Sequence, residues 1–411
     1  MNSTGYLSLI IILFQILGIR AMSALVDTKV VIVGGGIHGA SLAYYLTKRG
    51  IRPTVIERCS IAAAASGKAG GFLARDWGSG PTVQLHQISY DLHATLAAEL
   101  NIESYRTVNT ISVSGARKGP TGASWLDGKA TSSPMPGATA QVTPLELTEK
   151  LMEAATARGA EVIIGEVEEM VMTEEGKGAE GGRRVYGLRL KGREVIPVDK
   201  LILTMGVWTS VYAEDWFGMT LPMDGIKSTS VVFSNCEAVK SEPYACFCDE
   251  DVNGCHLEIY PRPNGEVYLC GIGGSDYVRG DRLRAGGDCA GAEDVKEDEK
   301  RVAAAVRSFS GLSASLGGRQ PDIVQACMRP CPPDGLPYMG TVPDIENAYI
   351  SAGHNCWGIL WAPISGLCMS ELVCDGESST VDLSAFRPDR YMKRQKKRGR
   401  KQGEKSVGEQ W

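Results

Sequence analysis

"VVIVGGGIHGASLAYYLTKRG", residues Val30 to Gly50, decides the fold class. Lys29 to Val33 is nearly all apolar, the pattern of a parallel strand covered on both faces. Gly34, Gly36 and Gly39 follow with G-x-G-x-x-G spacing, and Ala40 to Lys48 reads as a helix that stops at Gly50. "PTVIE" then supplies a second strand ending on Glu57. An acidic residue about twenty positions beyond the glycines completes the βαβ fingerprint of a dinucleotide site. Gly34 makes the tight turn, Gly36 lets a pyrophosphate approach the backbone, and Gly39 lets helix and strand pack closely. The helix N-terminus offers free N–H groups and a partial positive charge. Glu57 is placed to accept hydrogen bonds from an adenosine ribose and would repel a 2′-phosphate, which leaves NAD and FAD.

The following stretch, "AAAASGKAGGFLARDWGSG" (Ala62 to Gly80), is small and loop-like where a nicotinamide fold would continue with another αβ unit. Such a loop can lie along an extended cofactor. A helix is expected from Val83 to Leu100, then a turn-rich excursion from Ser114 to Ala140. "TPLELTEKLMEAATARGAEVIIGEVEEMV" reads as helix, glycine stop and strand, "EEGKGAEGGRR" as a loop tip, and "DKLILTMGVWTS" as a buried strand. Alternation dominates from Gly225 to Gly274, as in an antiparallel sheet. A charged helix is expected over Asp294 to Ser308, and the chain closes with a strand, a glycine turn and a long apolar helix.

The expected fold is α/β: a discontinuous Rossmann-like nucleotide domain with an inserted antiparallel-sheet substrate domain of α+β type. By residue, 1–25 is a leader, 26–113, 141–224 and 323–391 form the nucleotide domain, 114–140 and 225–322 the substrate domain, and 392–411 a basic tail.

Composition sets wide limits. Of 411 residues 43% are hydrophobic and 22% charged, as in ordinary globular proteins, and a net charge of -5 makes no case for nucleic acid. The twelve cysteines lack the spacing of a disulfide framework. "LSLIIILFQILGI" (Leu7 to Ile19), followed by Ala21 and Ser23, reads as a signal peptide or anchor, although no Lys or Arg precedes it. It points to the secretory pathway or an organelle, with the cytoplasm as the alternative, and to membrane contact only through an uncleaved leader. The tail from Lys393, "KRQKKRGRKQGEK", has no apolar periodicity and reads as solvated.

In order along the chain, "AQVTPLELTEKLMEAATARGAEV", "DKLILTMGVWTS", "CMRPCPPDGLPYMG", "AGHNCWGILWAPISG" and "DLSAFRPDRY" follow the fingerprint. Together they resemble the D-amino-acid oxidase family of FAD-dependent oxidoreductases, in its glycine oxidase and sarcosine oxidase branch. "GHNCWGIL" and "GIKSTSVVF" are most similar to a eukaryotic subgroup of FAD-dependent oxidoreductases. The resemblance runs from Lys29 to about Tyr391 and implies FAD rather than NAD.

It assigns Gly34, Gly36, Ile37, His38, Gly39, Glu57 and Arg58 to the adenosine diphosphate, with Val167 near the adenine. Ser66, Gly67, Lys68, Gly70 and Gly71 would follow the flavin, with Gly206, Trp208 and Cys327 as further cofactor contacts. Cys327 stands where sarcosine oxidases attach their flavin, and Lys68 is a candidate cation for oxygen reactivity. Gly353, Gly358, Ile359 and Leu360 form the turn that aims the last helix at the flavin N1–C2=O edge.

The implied chemistry is oxidation of an amine or amino acid, with a hydride passing from the α carbon to flavin N5 and the imine then hydrolysed. Oxygen is the expected acceptor; a quinone or protein acceptor, or a flavin-binding regulatory protein with little turnover, are the alternatives. Arg329 falls where glycine oxidase binds the substrate carboxylate, and His256 where it has a pocket histidine. Glu258 replaces a tyrosine and Cys356 an arginine, so the substrate need not be glycine. "CFCDEDVNGCH" lacks the usual ligand spacing for zinc, and no metal is expected.

Overall fold

The computed structural model describes residues 28–172 and 182–392. The leader, most of the "EEGKGAEGGRR" loop and the basic tail lie outside the described residues.

One sheet has the order Tyr338–Thr341, Ala348–Ala352, Lys200–Leu203, Val30–Val33, Thr54–Glu57, Glu161–Ile164. All its pairings are parallel except the edge hairpin formed by the first two strands. Val30 and Ile32 face a core built with the helices Ile37–Lys48, Pro144–Ala157 and Gly358–Asp375. Val31 and Val33 face a second core that includes Val185, Leu188 and Leu190 of an antiparallel three-stranded meander. Both faces are covered, which explains the unbroken apolar run. The last helix is long and apolar enough to cross a bilayer, but 72% of its apolar window is buried inside the protein, as in a core helix.

The fingerprint helix begins at Ile37, earlier than the expected Ala40. Gly36, with an extended backbone, is its N-cap, so Gly39 lies inside the first turn. A Cβ on Gly39 would stand 2.0 Å from the Gly34 carbonyl oxygen.

The second sheet has the order Asp276–Val278, Asp224–Phe233, Val267–Cys270, Glu258–Pro261, Tyr244–Cys248, Asn109–Ser114, Thr131–Met135. Ile323–Cys331 adds to its Asp224–Phe233 strand with an unbroken register from Asp224↔Cys331 to Val232↔Ile323. This differs from the expected division at 322/323: the strand that carries Arg329 belongs to the large sheet, and the chain returns to the nucleotide sheet only beyond Cys331. Likewise Asn109–Ser114, assigned to the nucleotide domain from sequence, is a strand of this sheet. Neither strand's own residues mark the sheet it will join.

The charged helix spans Glu299–Leu312 rather than Asp294 to Ser308. Asp298 sets its start, accepting from the backbone N–H groups of Lys300 and Arg301. Asp298→Ala should lower stability by about 1 kcal/mol, the usual value of such a cap. A chemical-denaturation midpoint checks this.

Candidate active site

A cleft runs along the C-terminal ends of the parallel strands and meets the face of the large sheet. In α/β folds this is where ligands sit.

At one end Gly34 turns with a φ of 113°. Thr204 Oγ1 braces the turn, donating to the carbonyls of Val33 and Gly34 at 3.0 and 2.9 Å. The Glu57 carboxylate accepts from Gly35 N at 2.7 Å and Cys59 N at 3.0 Å. At the helix N-terminus Ile37 N donates to Ser66 Oγ at 2.8 Å. A Cβ on Gly36 would lie 2.9 Å from that hydroxyl. The result is a bare backbone cradle at a helix N-terminus, with an acid beside it, which fits a dinucleotide diphosphate and its ribose.

A strap roofs this half of the cleft. The chain leaves the large sheet at Val278 and returns at the Glu299–Leu312 helix, and in between Ala290, Gly291 and Ala292 join the cleft wall. Arg58 donates to Ala290 O at 2.9 Å and pairs with Glu293 at 2.9 Å. Trp208 Nε1 donates to Cys289 O at 2.9 Å, and Arg284 reaches Glu214 and Asp215 on the helix Thr209–Phe217 at 2.7 and 2.9 Å. Sequence reasoning missed the strap because "GGDCAGAED" matches no ligand motif. Glu293→Ala should speed FAD release about fivefold, the scale of a partly exposed ion pair. Fluorescence of the freed flavin measures the rate.

Farther along, the expected loop from Ser66 to Gly71 contains a one-turn helix, Ala65–Lys68. It directs Ser66 to the phosphate end, while Gly70 packs against Tyr260, which a Cβ would approach to 2.5 Å. Across the cleft His38 and His354 stack with ring centroids 3.5 Å apart, and both Nδ1 atoms are buried without a hydrogen-bond partner. His354 Nε2 is 3.0 Å from Ser365 Oγ. Burial pulls His38 down to about 3 and His93, buried under the last helix, to about 4; burial and His38 lower His354 well below the ordinary value.

These histidines predict an acid-sensitive fold. Above pH 6.5 folded and unfolded chains both hold neutral imidazoles, and their contribution is complete. Below that the unfolded chain takes up protons that the folded one refuses until about pH 3 to 4, so stability falls across this window. Urea midpoints between pH 8 and 4 should decline most steeply below 6.5.

At the other end of the cleft Arg329 is half-buried. Its Nη2 donates to Ser228 Oγ at 3.3 Å, and its Nε is buried with no hydrogen-bond partner. Glu258 Oε2 accepts from the Tyr260 hydroxyl and, at 3.3 Å, from the Cys270 thiol. Burial and then Glu258 push the Tyr260 phenol far up, which keeps it a donor. Cys356 is exposed on the cleft wall yet enclosed by surrounding protein. Burial raises its thiol to about 11, opposed by Arg329, so at neutral pH an uncharged thiol lines the cleft near that guanidinium. Phe72 stacks on Tyr260 at 5.5 Å and meets Phe247 at 5.2 Å, and Trp77 meets Phe247 at 5.3 Å. His256 and Cys327 complete this part of the wall.

The family model described as FAD dependent oxidoreductase (DAO) matches residues 29–372. The chain belongs to this FAD-dependent oxidoreductase family. The glycine oxidase of Pseudomonas aeruginosa is 24% identical over 383 residues, covering 88% of this chain and 98% of that one. The crystal structure of glycine oxidase from Geobacillus kaustophilus shares the fold with a TM-score of 0.67 at 22% identity, covering 88% and 98% of the two chains. So does L-amino acid deaminase from Proteus vulgaris, with a TM-score of 0.72, 14% identity and coverage of 89% and 97%. FAD is the cofactor, and the enzyme is an oxidoreductase of the amino-acid oxidase or dehydrogenase type.

Within this FAD-dependent oxidoreductase the cleft gathers Gly34, Gly36, Ile37, His38, Glu57, Arg58, Ser66, Gly70 and Gly71 from the first two strands and the loop after them. Val167, Gly206, Trp208, Cys327, Gly358 and Ile359 join them from later segments, as do Arg329, His256, Glu258 and Cys356. Five candidates lie off the wall. Gly39 is packed behind the turn, and Gly67 faces Ala62 O, which a Cβ would approach to 2.4 Å. Gly353 turns against Pro332 and Tyr338. Leu360 is fully buried, and its carbonyl lies 3.1 Å from His93 Nε2. Lys68 Nζ donates to Ala326 O at 3.2 Å, tying its short helix to the large sheet instead of lining the cleft. Cys246, Cys248 and Cys255 pack in an apolar core.

Proposed function

We propose that this chain oxidises an amino acid or a closely related amine at its α carbon, with dioxygen as the acceptor. The supporting observation is Arg329: a guanidinium on the cleft wall whose Nε is buried and unpartnered, and whose Nη2 donates to a serine hydroxyl at 3.3 Å. Burying such donors without acceptors is costly, and a carboxylate satisfies the planar fork two bonds at a time. Bound FAD supplies a two-electron acceptor at N5, which takes a hydride equivalent from the substrate carbon.

The protein's part is to hold, orient and keep dry. Arg329 fixes the carboxylate, which leaves the α carbon no freedom to turn away. The aromatic residues Phe72, Trp77 and Phe247 limit water at the reacting end. Glu258 adds a negative charge that favours an amine over a second acid. The resulting imine hydrolyses in water. The apolar run at Leu7 to Ile19 supports an address in the secretory pathway or an organelle.

The test is an anaerobic visible spectrum of the full chain with its flavin, before and after a panel of amino acids and amines. Bleaching by one of them, with peroxide formed once air is admitted, supports the proposal. A spectrum that stays oxidised with every compound overturns it. Bleaching without peroxide would replace dioxygen by a quinone or protein acceptor.

A further inference from the structure

The helix Val83–Leu100 buries one face, and that face is not wholly apolar. His86, Ser89 and His93, at i, i+3 and i+7, are buried beside Leu85 and Leu96. Buried polar groups need partners, and these find theirs mostly on the helix Gly358–Asp375. His86 meets the Trp357 ring edge-on at 4.6 Å, with its Nδ1 held 2.8 Å from Ala74 O. Ser89 Oγ accepts from Ile364 N at 3.2 Å. His93 Nε2 lies 3.1 Å from both Ile359 O and Leu360 O.

The sequence of the last helix explains why these groups are needed. Pro363 lies inside it. A proline there has no N–H for the carbonyl four residues back, and its ring crowds that carbonyl. The carbonyl in question is Ile359 O, the one His93 Nε2 meets. Two acceptors at one nitrogen fix the proton on Nε2, so His93 donates there, while its Nδ1 is buried without a partner. Burial keeps the ring neutral by lowering its pKa to about 4. An imidazole from another helix thus supplies the donor that the proline withholds.

The mended turn is also part of the cofactor cleft. Trp357, Gly358 and Ile359 line the wall, and no side chain caps the start of this helix. The positive end of its dipole therefore lies at the wall, where it favours negative charge. FAD gains electron density when it is reduced. Ile359 is both a wall residue and a residue that His93 grips, so any shift of this turn changes the field along the wall.

We propose that His93 is a positioning residue for electron transfer: its Nε2–H replaces the hydrogen bond that Pro363 withholds, holds the first turn of the last helix at the cleft, and thereby sets how readily bound FAD takes electrons. This role needs FAD in the cleft but not the substrate reading above.

The experiment measures the flavin potential of the full chain by equilibrium with a reference dye, together with the visible spectrum. It compares the wild type, His93→Leu, His93→Gln, and His93→Leu combined with Pro363→Ala. Leucine fills the place of the ring without a donor, glutamine returns an amide N–H near the place of Nε2, and alanine at 363 returns a backbone donor to Ile359 O. His93→Leu should keep its FAD, move the oxidised-to-reduced ratio at a fixed dye potential about tenfold toward oxidised, the scale of a partly buried helix terminus, and displace the flavin bands. The glutamine variant and the double variant should each recover most of both changes. If His93 served packing alone, Pro363→Ala would recover nothing, since it adds no contact at position 93. A wild-type potential in His93→Leu, or a shift that both rescuing variants retain, overturns the inference. If His93→Leu cannot be isolated with FAD, the double variant decides: holoprotein with the wild-type potential supports the inference, and anything else overturns it.

Discussion

Arg329→Ala is expected to cut the rate of substrate-driven flavin reduction at low substrate by about a thousandfold, the cost of losing a bidentate charge pair in a shielded cleft. The bound flavin should remain, because the phosphate end of the cleft is built around Gly34, Glu57 and Ile37, whereas the Arg329 side chain bonds Ser228. Arg329→Lys keeps the charge but not the fork and should recover only part of the loss. Stopped-flow absorbance separates the two effects. Unchanged reduction in the alanine variant would remove Arg329 from substrate binding altogether.

Gly39→Ala should give protein without flavin. The new Cβ would meet the Gly34 carbonyl at 2.0 Å and Thr204 Oγ1 at 2.9 Å. Both belong to the turn that shapes the phosphate cradle, and the first is backbone, so it cannot swing away. Either the helix shifts outward or the turn opens, and each misplaces the backbone cradle relative to the diphosphate. Affinity for FAD should fall by at least about a hundredfold, since two or more charge-assisted hydrogen bonds are weakened together. Flavin-to-protein absorbance ratios after gel filtration report it. Full flavin occupancy in this variant would show that the cradle adapts.

The βαβ half of the cleft was legible because it is local. Strand, turn, helix and acid follow one another within a single βαβ unit, and each glycine answers to a contact that a side chain would fill. The half of the cleft around Arg329 and Glu258 is assembled by register. Cys270 comes to Glu258, and Ser228 to Arg329, only through antiparallel pairings that no window of sequence displays. Lys68 shows the limit within a legible segment: its position beside the cleft was readable, but its direction depended on Ala326 of a distant strand. The stack of His38 on His354 joins two helix starts from opposite ends of the chain, and each motif alone showed just one imidazole. The start of the charged helix was misjudged because acidic residues precede it, and only one of them, Asp298, makes the cap.

The strap from Gly280 to Asp298 also bears on how the molecule is made. It begins just after the sheet that carries Arg329 and ends at Asp298, whose N–H donates to Thr229 of that sheet, yet its middle is pinned to Arg58, Trp208 and the Thr209–Phe217 helix of the other half. Synthesis delivers the nucleotide cradle first and the roof much later. The strap can therefore close over the cleft only after the residues around the diphosphate cradle have been made.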